Sequence, residues 1–179
     1  MRVVALSAIV RNHKTEGIQI LTQIRNVSNP DYDPLYNNTI EICGETMKAG
    51  ESVVETAIRG CWEEAGCPSS SVIKIIGANG KMLSTRPEKD KILAFEPYYF
   101  VQQLRGPQPW IGPCFVVVVR DDFEPSLTQD KEKEVSGHRW RDPEELLEEL
   151  QSKPEKFMGL HYPFLLKVCE DITTGKIFI

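Results

Sequence analysis

Glu63 and Glu64 stand side by side in Arg59-Gly-Cys-Trp-Glu63-Glu64-Ala-Gly66, a segment with helical patterning. At about 100° per residue, with residue 60 at zero, Glu64 lies about 40° to one side and Glu63 about 60° to the other. The apolar stripe centres about 120° away, near Val54, Cys61 and Ala65. Two carboxylates therefore share one helix face, at the edge of the stripe that faces the core. Oxygen donors of this kind suit a hard cation such as Mg²⁺ or Mn²⁺, and such a cation neutralises the charge of a diphosphate. Arg59 precedes Glu63 by one turn, where it can orient carboxylates by pairing. A bare Glu-Glu pair is usually a solvated helix face, so the spacing of the surrounding residues has to separate the two readings.

The helix itself is well delimited. Ser52 followed by Glu55 is a capping-box signature, and Gly66 is placed to end the run. Val54, Ala57, Ile58, Cys61, Trp62 and Ala65 recur at helical spacing and are expected to form its core face. Ahead of it, Val3–Val10 and Ile18–Ile24 read as strands around a polar turn, Arg11–Gly17. Val27–Asn38, rich in Asn, Asp and Pro, reads as a loop. Thr39–Ile42 reads as a short strand, and Gly44–Gly50 as a loop whose backbone carbonyls can add an oxygen donor.

Downstream, Val72–Ile76, Leu93–Leu104 and Cys114–Val119 read as strands, with Pro97 interrupting the second. The continuous apolar run Phe115–Val119 predicts a strand covered on both faces. Asp142 before Pro143 opens a second helix, which Pro154 stops. A third covers Pro163–Ile172. No repeat or linker divides the 179 residues, so one domain over 1–179 is expected. The order of elements predicts an α/β fold, a mixed β-sheet with helices on both faces.

Composition removes several function classes. The net charge of -5 argues against a non-specific nucleic-acid binder, and no stable nucleic-acid complex is expected. No run approaches the about 20 apolar residues of a membrane span. The opening Met1–Val10 is short, lacks a small-residue cleavage site and runs into Arg11-Asn-His-Lys14, so it reads as a strand and not as a signal segment. Five cysteines, with no C-x-x-C pair, are read as free thiols in a reducing cytoplasm.

The segment around the two glutamates resembles the Nudix box, G-x5-E-x7-R-E-U-x-E-E-x-G-U, where U is bulky and aliphatic. Glu51-x7-Arg59-x-Cys61-Trp62-Glu63-Glu64-Ala65-Gly66 matches in register, and Gly50-Glu51 is similar to the usual G-E before the helix. Glu134-Val-Ser-Gly-His-Arg-Trp140, running into Asp142-Pro143, is similar to the downstream segment of many Nudix domains. The resemblance implies an α/β/α sandwich and a hydrolase that cleaves a diphosphate bond. Its substrate would be a nucleoside triphosphate or a nucleotide linked through a diphosphate, with Mg²⁺ or Mn²⁺ as cofactor. It implies Gly44 (through its carbonyl), Glu63 and Glu64 as metal ligands, Arg59 beside them, Glu134 as general base and Arg25 as a phosphate ligand. A surface ion pair is the equal alternative for Arg25, and a solvated charge for Glu134. Many family members dimerise, which makes a homodimer an expectation.

Two positions depart from the pattern. Glu45 stands where the box begins with Gly, and Gly60 where a carboxylate usually follows the Arg. Gly60 removes a central oxygen ligand and should cost about 1 kcal/mol of helix stability relative to Ala. Glu45 is a candidate to reach the metal. The departures motivate a second reading, a degenerate Nudix domain that binds a nucleotide or a protein partner without efficient turnover. Tyr98, Tyr99, Phe100 and Trp110 are expected in the core, with base stacking as the alternative, and Trp140 in the core. His13, His138 and His161 have no metal-ligand spacing and are assigned no chemistry. Residues 80–84 lack the Pro seen in many ADP-ribose hydrolases, the next being Pro87, and no Tyr there supports a dinucleoside polyphosphate hydrolase.

Overall fold

Val4, Leu6, Ala8 and Val10 alternate with Ala5, Ser7 and Ile9 along the first strand, and both sets are buried. A strand with neither face solvated has to be covered on both sides. The structure is a computed structural model that describes residues 2–26, 36–86, 89–105 and 109–179. Its strands are β1 (Arg2–His13), β2 (Gly17–Arg25), β3 (Ile40–Glu41), β4 (Cys43–Thr46), β5 (Val72–Ile76), β6 (Gly80–Leu83), β7 (Ile92–Phe95), β8 (Tyr99–Gln102), β9 (Trp110–Val119) and β10 (Val135–Arg141). Its helices are α1 (Val53–Ala65), α2 (Pro143–Ser152) and α3 (Tyr162–Thr173).

The main sheet runs β10-β2-β1-β9-β5, with β3 on β2, β4 on β1 and β8 on β9. β1 and β9 are parallel, Leu6 opposite Cys114, while β2 and β4 lie antiparallel to β1. The even-numbered side chains of β1 pack with Leu146 and Leu150 of α2 and with Phe164, Leu165 and Val168 of α3. The odd-numbered ones meet Ala57, Cys61 and Ala65 of α1, together with Phe115, Val117 and Val119. The result is the expected α/β/α sandwich around a mixed sheet.

The signals at both ends of α1 operate as expected. The Glu55 N–H donates to Ser52 Oγ at 3.2 Å, and the Ser52 N–H donates to the Glu55 carboxylate at 2.8 Å. Gly66 closes the helix at φ 65°, where a Cβ would also lie 2.9 Å from the Ser126 carbonyl oxygen. Asp142 caps α2 through the N–H groups of Glu144 and Glu145.

Two expectations need correction. β1 continues through Arg11 to His13, because the Arg11 guanidinium is buried over the Trp140 ring, bonded to Gln19 and to the Phe123 carbonyl. Cys43–Thr46 is a strand and not a loop, paired residue by residue with Val4–Ser7. Pro97 interrupts Leu93–Leu104 as expected: β7 leaves the main sheet to form a ribbon with β6, and β8 pairs with β9. β10 was not anticipated. Of the expected loop at Val27–Asn38, residues 27–35 lie outside the described residues, as does Pro87.

Candidate active site

A cavity of about 400 Å³ opens where β4, the C-terminal half of α1 and the loop before β10 meet. Gly44, Glu45, Lys48, Glu63, Glu64 and Glu134 line it, as do Arg2, Arg25, Trp62, Trp110 and His161. Six carboxylates face four basic side chains there, counting Asp130, Glu132 and Lys131 of the loop. Carboxyl groups outnumber basic side chains there, so the cavity offers a divalent cation more oxygen donors than it offers an anion positive charges.

The floor of the site is polar and buried. Gln23, Glu41 and Glu64 are almost fully enclosed. Gln23 stands directly across from Glu41 in the β2–β3 register. Its amide donates to Glu41 at 3.1 Å and also to Glu64, bridging the two carboxylates. The Gly44 N–H adds a donor to Glu64 at 3.2 Å. Burial, opposed by Arg25, pushes Glu41 up to about 7, and burial together with the charge of Glu41 pushes Glu64 well above the carboxylate range.

Glycine is needed at position 44. A Cβ there would lie 2.9 Å from Leu6 Cδ2 and 3.0 Å from both Cε1 and Nε2 of His161. The His161 ring is buried, and its Nδ1 accepts from the Ile42 N–H at 3.3 Å. Burial, with the Arg25 charge added, lowers its pKa to about 3, so the ring is neutral and its second nitrogen carries the proton beside Gly44.

Arg59 does not line the cavity; it organises the rim. Its guanidinium donates to Glu51 at 2.8 and 2.9 Å, to Glu63 at 2.9 Å and to the Thr46 carbonyl at 2.9 Å, and it pairs with Glu45 at 3.0 Å. The hydrogen bond from Arg59 holds Glu51 down at about 2. Burial and a hydrogen bond shared with Glu63 push Glu45 up to about 7. Although burial opposes it, the bonds to Glu45 and Arg59 hold Glu63 below its ordinary value.

Glu134 reaches the cavity from the loop before β10. Its N–H is held by Asp130 at 3.1 Å, and its carbonyl accepts from the Asn26 N–H at 2.7 Å. Arg25 stands 3.5 Å from Glu134 and 3.6 Å from Glu41, a buried cation between two carboxylates. Burial raises Glu134 despite that cation.

The expected ligands Gly44, Glu63 and Glu64 share the cavity without converging. Gly44 turns its N–H toward Glu64, while Glu63 is drawn aside by Arg59 and by Lys48 at 3.8 Å. Among the described residues no three carboxylate, histidine or cysteine side chains form a ready cage. The donor chemistry nonetheless fits a hard divalent cation. Every carboxylate is an oxygen donor, and Glu41 Oε2 is buried without any partner.

Gln23, Glu41 and His161 went unrecognised in the sequence. Trp62, grouped there with the apolar stripe, is 41% exposed and lines the cavity. Phe100 is exposed, Tyr98 and Tyr99 pack on Phe164, and Trp110 lines the cavity. Trp140 packs edge-on against Phe123. His138 sits 3.0 Å from the Glu64 carbonyl oxygen and tethers the end of α1 to β10.

The NUDIX domain family model matches residues 1–160. An α/β/α sandwich with its carboxylates on this helix defines that class, and the chain belongs to the Nudix family. By class it is a Nudix-type pyrophosphohydrolase, an enzyme acting on acid anhydrides. No curated protein matches it by sequence. Among solved structures, it resembles the Ap4A hydrolase of C. elegans in a binary complex, at TM-score 0.60 and 13% identity, covering 98% of this chain and 99% of that one. It resembles the Nudix hydrolase RenU of M. smegmatis at TM-score 0.60 and 12% identity, covering 98% and 88%. It also resembles the NUDIX domain of Shewanella oneidensis NrtR, complexed with ADP ribose, at TM-score 0.58 and 11% identity, covering 96% and 87%. At these identities the likeness is one of fold.

Proposed function

We propose that this protein is a divalent-metal-dependent hydrolase that cleaves the diphosphate bond of a nucleoside triphosphate or of a nucleotide linked through a diphosphate. The observation that carries this reading is the excess of carboxyl groups over basic side chains in the cavity beside α1. Glu63 and Glu64, with an oxygen from Gly44, would hold Mg²⁺ or Mn²⁺. When bound, such a cation withdraws charge from the diphosphate oxygens and favours attack by water. Arg59 fixes the rim carboxylates, and Gln23 fixes Glu64 from below. Glu134, which lines the cavity and is raised by burial, would accept the proton of the attacking water. Arg25, ion-paired with Glu41 and Glu134, would share its guanidinium with a phosphate, and Trp62 and Trp110 would offer aromatic surface to a base. Five buried thiols, none in a disulfide, support a reducing, cytoplasmic setting.

A panel of nucleoside triphosphates and diphosphate-linked nucleotides, assayed with Mg²⁺ and with Mn²⁺, tests the proposal. Release of phosphate or diphosphate products from at least one of them is expected. Measurable nucleotide binding with no hydrolysis across the panel would replace this reading with that of a binding domain, which Gly60 and the dispersed carboxylates would then explain.

A further inference from the structure

The two departures from the Nudix box meet each other in space. A Cβ on Gly60 would lie 2.8 Å from Glu45 Cβ, and the Glu45 backbone nitrogen is only 3.7 Å away. β4 approaches α1 this closely because residue 60 has no side chain, and the first carbon of the Glu45 side chain occupies the room so left. From there Glu45 reaches the cavity, with one oxygen 3.0 Å from Arg59 Nη1 and the other accepting from the Thr46 N–H at 2.7 Å.

We infer that Glu45 and Gly60 are one transposition: the carboxylate missing from the helix is supplied from β4. Glu45 is then a third oxygen donor toward the divalent cation, alongside Glu63 and Glu64. The inference rests on the proposed cation dependence. A second observation points the same way: Glu41, linked to Glu64 through the Gln23 amide, is fully buried and keeps a carboxylate oxygen with no partner. The steric fit also overturns the expectation that Gly60 merely weakens the helix. An Ala at 60 would bring no gain, since its Cβ would drive into β4.

Calorimetric titration of Mn²⁺ into the full chain decides the matter, with melting temperature recorded on each metal-free variant. Glu45→Gln keeps the shape and removes the charge, and it should weaken Mn²⁺ binding about tenfold or more. Gly60→Glu alone should lower the melting temperature and weaken Mn²⁺ binding. Combined with Glu45→Gly, it should recover both, with affinity within about threefold of wild type, whereas a Glu45 that only filled space would leave affinity unmoved by Glu45→Gln. Unchanged affinity in Glu45→Gln, while Glu64→Gln loses affinity, would overturn the transposition and leave the hydrolase reading standing. Unchanged affinity in both would overturn both.

Discussion

Glu63 and Glu64 are neighbours in sequence but occupy different environments. Glu64 is enclosed and bonded to Gln23 and the Gly44 N–H; Glu63 lies at the rim, within reach of Arg59 and Lys48. Gln at position 64 keeps the enclosed shape but has no proton to give up to become an anionic ligand, and neither side chain packs in the apolar core. Glu63→Gln and Glu64→Gln are therefore each expected to weaken Mn²⁺ binding without unfolding α1, as calorimetry and circular dichroism would read. Retention of full affinity by both variants would remove them from the metal site. Glu134 is expected to act on the water instead. A positioned base contributes about 10²–10⁴-fold in rate, so Glu134→Gln should lower turnover by that order and leave metal affinity nearly intact. A loss below about threefold would return the role to the helix carboxylates.

The elements that carry these residues differ in what holds them. α2 ends on a charge cluster remote from the cavity: Glu149 accepts from Arg141 at 2.7 Å and from Lys156 at 2.9 Å. The Arg141 bond, then the Lys156 bond, lowers Glu149 from 4.5 to about 2. A carboxylate lowered in the folded state contributes stability above its unfolded pKa, and this is lost as pH falls from about 4.5 toward 2. Glu149→Gln should therefore cost on the order of 1–2 kcal/mol at pH 7 in urea unfolding, from the lost charged hydrogen bonds. The difference from wild type should narrow between pH 4.5 and 2. A pH-independent difference would mean that packing, and not charge, is what Glu149 supplies. The sequence announces α1 and α2 because caps are local chemistry, written in Ser52, Glu55, Gly66, Asp142 and Pro143. It also announces β1 and β9, whose apolar runs require cover on both faces. β4 and β10 were hidden because their strand character comes from pairing with distant partners, Val4–Ser7 for one and β2 for the other. The same holds within the site. The spacing of Glu63, Glu64 and Arg59 is written along one helix. The enclosure of Gln23 and Glu41 follows from the register of two strands, and that of His161 from the approach of the chain before α3 to Gly44. Trp62 misled because a large apolar residue at nearly helical spacing looks like core.

At the scale of the whole molecule, a net charge of -5 accompanies a cavity in which carboxyl groups outnumber basic side chains. On the proposed reading, a divalent cation would enter with the substrate and use these oxygen donors. β1 and β9 provide the buried centre, α1 carries Glu63 and Glu64, and the loop before β10 brings Glu134 to the same cavity. No described helix is long and apolar enough to cross a membrane. The most direct measurement is the rate of hydrolysis of the best nucleotide of the panel, with Mn²⁺ present and again in excess chelator. Rapid release of product with the cation, falling to the uncatalysed background in chelator and returning when Mn²⁺ is restored, is the result expected. Hydrolysis that continues undiminished in chelator would contradict the account.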